Sequence, residues 1–91
     1  MPNRFENDFS HFIRSRRYEL NLTQQQVADA LGVTSDFVGL VELGYRRLDL
    51  DKIPQLAHVL NVESVGLSLW ALRDRAPQLY QEIFNFDVVP G

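Results

Sequence analysis

The sequence predicts an all-α domain of five or six helices. Apolar residues recur at intervals of three and four along most of the chain, as they do on the buried face of a helix. No strand pattern rises above this helical one. Single glycine and asparagine residues follow several of the apolar patterns, where helices commonly end. With 91 residues the chain has room for one modest core. We therefore expect a single domain over 1–91, with a core over 8–62 and a C-terminal helical extension over 63–86.

The first predicted helix runs from residue 7 or 8 to residue 20. Asn21 follows it, and asparagine is the commonest substitute for glycine in the left-handed conformation that ends a helix. The residues before this helix are predicted to form a loose arm. Its inward face is predicted to hold Phe9, Phe12, Ile13 and Leu20.

Residues 22–44 predict two short helices hinged at Gly32, which can adopt the left-handed conformation at little cost. Thr23 and Thr34 stand where a side-chain oxygen can cap each helix. Ala28 is small, so the second helix can pack closely against the first at a steep angle. The buried stripes are predicted to comprise Val27, Ala28 and Leu31, then Val38 and Val41 with Phe37 beside them. This arrangement is a helix-turn-helix, whose second helix can lie in the major groove of DNA.

Two or three further helices are predicted after this motif. The fourth helix spans about 51–60, because Pro54 is tolerated only in a first turn, and Asn61 ends it. A fifth helix, capped by Ser64 or Glu63, runs to about residue 75. Pro77 marks either a break or the first residue of a sixth helix that ends near residue 84. The inward residues are predicted to be Ile53, Leu56, Ala57 and Leu60, followed by Val65, Leu67, Leu69, Trp70 and Leu72.

The net charge of −3 is unevenly distributed along the chain. Residues 1–47 hold six arginines and six acidic residues, whereas residues 48–91 hold three cations and six acidic residues. The excess of acid therefore belongs to the C-terminal half. Eight of the nine cations are arginine, whose forked guanidinium suits contacts with phosphate and guanine. This balance lowers non-specific affinity for nucleic acid without excluding DNA binding.

Several classes of function find no support in the sequence. Cysteine is absent, so neither a disulfide nor a thiolate metal site can form, which suits a reducing cytoplasm. His11 and His58 lie apart from other metal-ligating residues, so we expect no metal and no cofactor. No apolar run is long enough to cross a bilayer, and the N-terminus has no signal-peptide pattern, so we expect no membrane association. No catalytic triad, carboxylate pair or P-loop stands out, and we expect no enzyme activity.

Four groups of residues share their spacing with a known family: Ile13-Arg14 with Arg17, Leu22-Thr23-Gln24 with Val27-Ala28, Gly32-Val33-Thr34, and Glu42-Leu43-Gly44. Residues 13–62 thus resemble the phage-repressor and Cro-type helix-turn-helix regulators, a family also called xenobiotic-response-element-like. The resemblance implies a lambda-repressor-like DNA-binding domain. It also implies that Arg17 and Glu42 form a buried ion pair joining the first helix to the recognition helix, which makes both residues structural.

The resemblance places the DNA contacts on the second helix of the motif and beside it. Base contacts are expected from Ser35, Asp36, Gly39 and Leu40, and backbone contacts from Thr23, Gln24, Thr34, Phe37, Tyr45, Arg46 and Arg47. Asp36 could accept from the amino group of cytosine, or could instead stabilise the positive end of the helix. Gln24 could bond a phosphate or be an ordinary surface residue. Phe37 could touch the sugar and phosphate or pack half-buried.

The apolar C-terminal segment leaves two interpretations open. It could pack across the back of the motif, or it could form a two-fold dimer interface that sets two recognition helices roughly 34 Å apart. We prefer the homodimer, with an interface formed by Leu69, Trp70, Tyr80, Ile83 and Phe84.

The predicted function is a sequence-specific transcriptional regulator, such as a repressor, that binds an inverted repeat in double-stranded DNA and blocks or contacts RNA polymerase. The alternative is an antitoxin-like or other protein-interaction module whose C-terminal segment holds a partner such as a toxin.

Overall fold

The computed structural model describes residues 8–84, and no strand occurs within them. The helices are α1 (Asp8–Glu19), α2 (Gln24–Leu31), α3 (Ser35–Glu42), α4 (Ile53–Leu60), α5 (Ser64–Arg75) and α6 (Pro77–Phe84). A 3₁₀ turn, Leu50–Lys52, leads directly into α4. The prediction of an all-α domain with a helix-turn-helix is confirmed. The predicted arm over 1–6 and the last two residues of the predicted extension, 85 and 86, lie outside the described residues.

Local sequence signals set both ends of α2 and the start of α3. The hydroxyl of Thr23 accepts from the backbone N–H of Gln26, and the Gln26 side chain accepts in return from the backbone of Thr23, which completes a capping box. Thr34 caps α3 by accepting from the N–H of Phe37. Gly32, at φ +70°, ends α2 in the left-handed conformation, which glycine adopts without strain. These helix ends therefore lie where the sequence predicts them.

Asparagine ends two of the helical segments. Asn21 has φ +57° after α1 and Asn61 has φ +55° after α4, so both occupy the left-handed region predicted for them. Basic side chains donate to the last carbonyls of α2 and α4. Lys52 donates to the carbonyl of Leu31, the last residue of α2, and Arg16 donates to the carbonyl of Leu60 at 2.8 Å. These contacts join elements that are distant in sequence.

The core lies where α2, α3, α4 and α5 meet beneath α1. Ala28 is fully buried, so α2 and α3 approach closely as predicted. Burying each of the larger aliphatic side chains contributes about 1.5–3 kcal/mol before the entropy cost of ordering it. The buried hydrophobic residues are Ile13, Val27, Ala28, Leu31, Val38, Val41, Leu48, Ile53, Leu56, Ala57, Leu60, Leu67 and Ala71.

Two predictions about the C-terminal half are wrong. The fourth helix begins at Ile53, because residues 50–52 form the 3₁₀ turn, in which the Asp49 carboxylate accepts from the N–H of Asp51. Val65 was expected to face inward but is 63% exposed, because it lies in the first turn of α5 on the side away from the core. Glu63, one of the two predicted caps, accepts from the N–H groups of Val65 and Gly66.

The C-terminal extension divides into a packed part and an exposed part. Trp70 of α5 is half-buried and lies against Phe9 and Phe12 of α1, with ring centroids 5.4 and 5.2 Å away. In contrast, no residue of α6 is buried, although Tyr80 and Phe84 contact each other with centroids 4.7 Å apart. The indole thus has an intramolecular partner, and α6 leaves an apolar surface open.

Candidate nucleic-acid interface

The α3 helix is held with one face against the core and the other exposed. Val38, Val41 and Glu42 are buried, while Asp36 and Leu40 are exposed. Ser35 and Gly39 are half-buried, and each directly precedes one of these two exposed residues in the helix. All four predicted base-contacting residues are therefore either exposed or half-buried.

A buried ion pair fixes α3 to α1. The Arg17 guanidinium donates to Glu42 from Nε at 2.7 Å and from Nη2 at 2.9 Å, a forked pairing. Its Nη1 donates to the carbonyl of Leu22 at 2.9 Å. The hydrogen bonds to Glu42, opposed by burial, raise the pKa of Arg17 above its usual value. This is the pair that the resemblance implies, and it links the first helix, the start of α2 and the end of α3.

Gln24 takes part in the same network. Its Nε2 donates to Glu42 Oε1 at 3.2 Å, and its amide lies against Gly39, where a Cβ atom would come within 3.3 Å of Nε2. The side chain is therefore not an ordinary solvated glutamine. A side chain at position 39 would therefore press on the Gln24 amide, a close approach that the sequence did not reveal.

The two threonines and Phe37 have structural contacts within the motif. The hydroxyls of Thr23 and Thr34 act as caps, and both residues remain exposed at the helix starts. Phe37 is half-buried and packs against the core cluster, which agrees with the packing interpretation. A role for these three residues at the DNA backbone stays a prediction.

The loop after α3 carries the predicted cationic contacts. Gly44, at φ +85°, turns the chain, and the N–H groups of Tyr45 and Arg46 both donate to the carbonyl of Leu40. Leu48 then enters the core. Arg46 and Arg47 are exposed between these two anchored points, and Tyr45 is half-buried. The loop is thus tied to α3 at one end and to the core at the other.

A groove that the sequence did not indicate runs between α1 and α3. It has a volume of about 550 Å³, and its lining includes Arg14, Tyr18, Asp36, Leu40 and Leu43. Tyr18 is exposed, and hydrogen bonds from Arg14 and Arg17 lower its pKa below the usual value of 10. The only sequence signal for this feature was the spacing of four between Arg14 and Tyr18 on α1. Arg16, by contrast, donates hydrogen bonds to the carbonyls of Leu60 and Asn61.

Within residues 8–84, no group of three or more His, Asp or Glu residues is arranged to hold a metal ion. None of the helices in this range combines the length and the apolar character needed to span a bilayer.

A family model described as helix-turn-helix matches residues 13–67. No curated protein and no solved structure matches the chain. The matched region contains all of α2, α3 and α4, with the ion pair and the loop that follows α3.

Proposed function

Because the chain belongs to the phage-repressor and Cro-type helix-turn-helix family, whose members are DNA-binding regulators and typically not enzymes, we propose that it is a sequence-specific transcriptional regulator that binds an inverted-repeat operator as a homodimer. The observation that carries this proposal is the outward face of α3. This face holds Asp36 and Leu40 in solvent while the opposite face is anchored by the buried Arg17–Glu42 pair.

The exposed face of α3 has the chemistry needed to read base edges in a major groove. A carboxylate at Asp36 can accept from the amino group of cytosine, the Ser35 hydroxyl can bond several base edges, and Leu40 can meet the methyl group of thymine. These residues lie on a helix that packing and an ion pair hold in place. A rigid support favours specific readout, because less conformational entropy is lost on binding.

The contacts that fix the register on DNA would come from both sides of this reading face. Gln24 lies across the middle of α3 and stands at the N-terminus of α2, where backbone N–H groups favour an anion. Arg46 and Arg47 follow the end of α3 on an anchored loop. If each subunit neutralises two or three phosphates, the logarithm of affinity should fall with the logarithm of salt concentration with a slope of about −4 to −5 per dimer.

The α6 helix is the surface that best suits a second copy of the chain. Leu79, Ile83 and Phe84 are each about half exposed, and no residue of α6 is buried. A two-fold pairing of this helix would bury apolar surface in a domain with a modest core and would place two α3 helices on one side of a duplex. Trp70 would then support the interface from beneath, since its ring already packs on α1.

A protein-interaction role is the second candidate. The groove between α1 and α3 exposes Tyr18, Leu40 and Leu43, and these apolar side chains could meet a protein rather than a nucleotide. An antitoxin-like module would combine this property with a toxin held at α6, and RNA polymerase is another candidate partner. Such a role can coexist with DNA binding in one protein.

Selection of bound duplexes from a random pool tests the proposed function. We expect enrichment of an inverted repeat by the wild-type protein, and salt-sensitive binding to it. Arg46→Ala should weaken binding to every duplex about equally, because a phosphate contact carries no sequence information. Arg73→Ala, which removes an exposed arginine from α5, is the matched control and should bind as the wild type does. A pool that shows no enrichment would reject the proposal.

The homodimer is tested by placing a charge on α6. Ile83→Glu should shift the protein toward the monomer in sedimentation experiments and weaken binding to the full inverted repeat much more than binding to one half-site. Gln81→Glu adds the same charge two residues away on the same exposed helix and serves as the control. If Ile83→Glu leaves both the association state and DNA binding unchanged, α6 does not form the dimer, and a separate partner surface is favoured.

A further inference from the structure

The loop that follows the recognition helix is anchored by a residue from the C-terminal extension. Arg75, the last residue of α5, donates from Nη2 to the backbone carbonyl of Leu48. Leu48 is buried and directly follows Arg47. Arg75 lies beyond residue 67, so it reaches Leu48 from outside the region that the family model matches.

The guanidinium of Arg75 lies in a confined and positively charged place. A cavity of about 30 Å³ separates α5 from the loop, and its lining includes Arg46, Arg47, Asp74 and Arg75. Burial, followed by the like charge of Arg47, lowers the pKa of Arg75, while the carboxylates of Asp74 and Asp49 act in the opposite direction. The guanidiniums of Arg47 and Arg75 therefore line the same cavity and repel each other at the base of the loop. An anion within reach of both would reduce this repulsion.

We infer that Arg75 is a positioning residue for the DNA backbone contact. Its hydrogen bond to the Leu48 carbonyl holds residues 45–48 in place, and its guanidinium adds a second positive charge beside Arg47. This inference rests on the proposed function. It gives the C-terminal extension a role in DNA binding that is separate from dimerisation. It also connects DNA binding to dimerisation, because Arg75 is the last residue of α5 and α6 begins two residues later.

A double-mutant cycle in DNA binding tests this inference. The variants are Arg47→Ala, Arg75→Ala and the pair together, each measured on the duplex selected by the wild-type protein. We expect each single variant to weaken binding about tenfold and the double variant to be only about twofold weaker than either, because Arg47 loses its placement once Arg75 is removed. Arg75→Lys keeps the charge and one donor and should recover most of the affinity. Arg73→Ala, two residues earlier on α5, should have no effect.

Hydrogen exchange gives a readout that does not depend on DNA. The backbone amides of residues 45–48 should exchange faster in Arg75→Ala than in the wild type, while the amides of α2 and α4 should be unchanged. If Arg75→Ala does not fold, Arg75→Gln, which removes the charge but keeps a side chain of similar length, carries the same comparison. Additive losses in the cycle, or an unchanged exchange rate in the loop, would overturn the inference while leaving the proposed function intact. A wild-type protein that binds no duplex would instead reject the proposed function and the DNA role of Arg75 with it.

Discussion

Breaking the ion pair between Arg17 and Glu42 should destabilise the domain more than almost any other single change outside the aliphatic core. The two side chains are only 7% and 2% exposed, so neither charge can turn to water when its partner is removed. Arg17→Met leaves the Glu42 carboxylate with the amide of Gln24 as its remaining side-chain donor. Glu42→Leu leaves the guanidinium with the carbonyl of Leu22 and the side chain of Tyr18.

The expected magnitude follows from the bonds that are lost. Each change removes two charge-assisted hydrogen bonds, worth about 1.5–3 kcal/mol apiece, and strands a desolvated charge. We expect each single variant to lower the free energy of unfolding by about 3–5 kcal/mol. A domain of this size has a total stability of about 5–14 kcal/mol at the usual value per residue. One substitution would therefore remove a large part of the stability.

The double variant, Arg17→Met with Glu42→Leu, distinguishes a stranded charge from a loss of packing. It replaces both charges by apolar side chains of similar volume, and such replacements are often neutral or stabilising. We expect it to be at least about 2 kcal/mol more stable than either single variant. Urea denaturation followed by far-ultraviolet circular dichroism measures all four proteins. Single losses below about 1 kcal/mol, or losses that simply add in the double variant, would refute the argument that the pair is desolvated and coupled.

Three further predictions concern the helix-turn-helix and its groove. Thr34→Ala should cost about 1 kcal/mol of stability in urea denaturation, because the cap on the N–H of Phe37 is lost, while Thr34→Ser should keep most of it. Gly39→Ala should change stability by less than about 1 kcal/mol, because better helix propensity offsets the displacement of Gln24, and yet it should weaken DNA binding. Tyr18 should ionise below its usual pKa in an absorbance titration, a component that Tyr18→Phe removes. Since the folded state favours the phenolate, the wild type should gain stability relative to Tyr18→Phe as the pH rises through that lowered pKa.

Each of these predictions has an outcome that contradicts it. A Thr34→Ser variant as unstable as Thr34→Ala would mean that the hydroxyl bond is not what stabilises α3. If Gly39→Ala bound DNA with unchanged affinity, the placement of the Gln24 side chain would not contribute to DNA binding. A tyrosine titration that is identical in the wild type and in Tyr18→Phe, apart from its amplitude, would show that the arginines do not act on the phenol.

Local signals explain why so much of the fold could be predicted. The threonine caps, Gly32 and the asparagines at residues 21 and 61 act within a few residues of themselves, so the sequence around them is enough to place helix ends. The start of α4 was misplaced because Pro54 is compatible with several nearby starts, and the 3₁₀ turn before it depends on the Asp49 side chain.

Long-range contacts explain what could not be predicted in the candidate site. The bonds from Arg16 to Leu60 and from Arg75 to Leu48 join residues that are 44 and 27 positions apart, and an exposed arginine gives the same local pattern as an anchored one. The contact of Gln24 with Gly39 likewise needs α2 and α3 to be packed before it exists. The Arg17–Glu42 pair was expected only because the resemblance supplied it. Spacing alone does not show which arginine is buried.

The exposed face of α3 is proposed to enter a major groove, and a backbone amide NMR titration with the selected duplex shows whether it does. We expect the largest shifts on residues 35–40, on Gln24 and on the loop with Arg46 and Arg47, and we expect weaker and more uniform changes with a scrambled duplex. Shifts that concentrate on α6 or on the outer face of α4, with α3 unaffected, would contradict it.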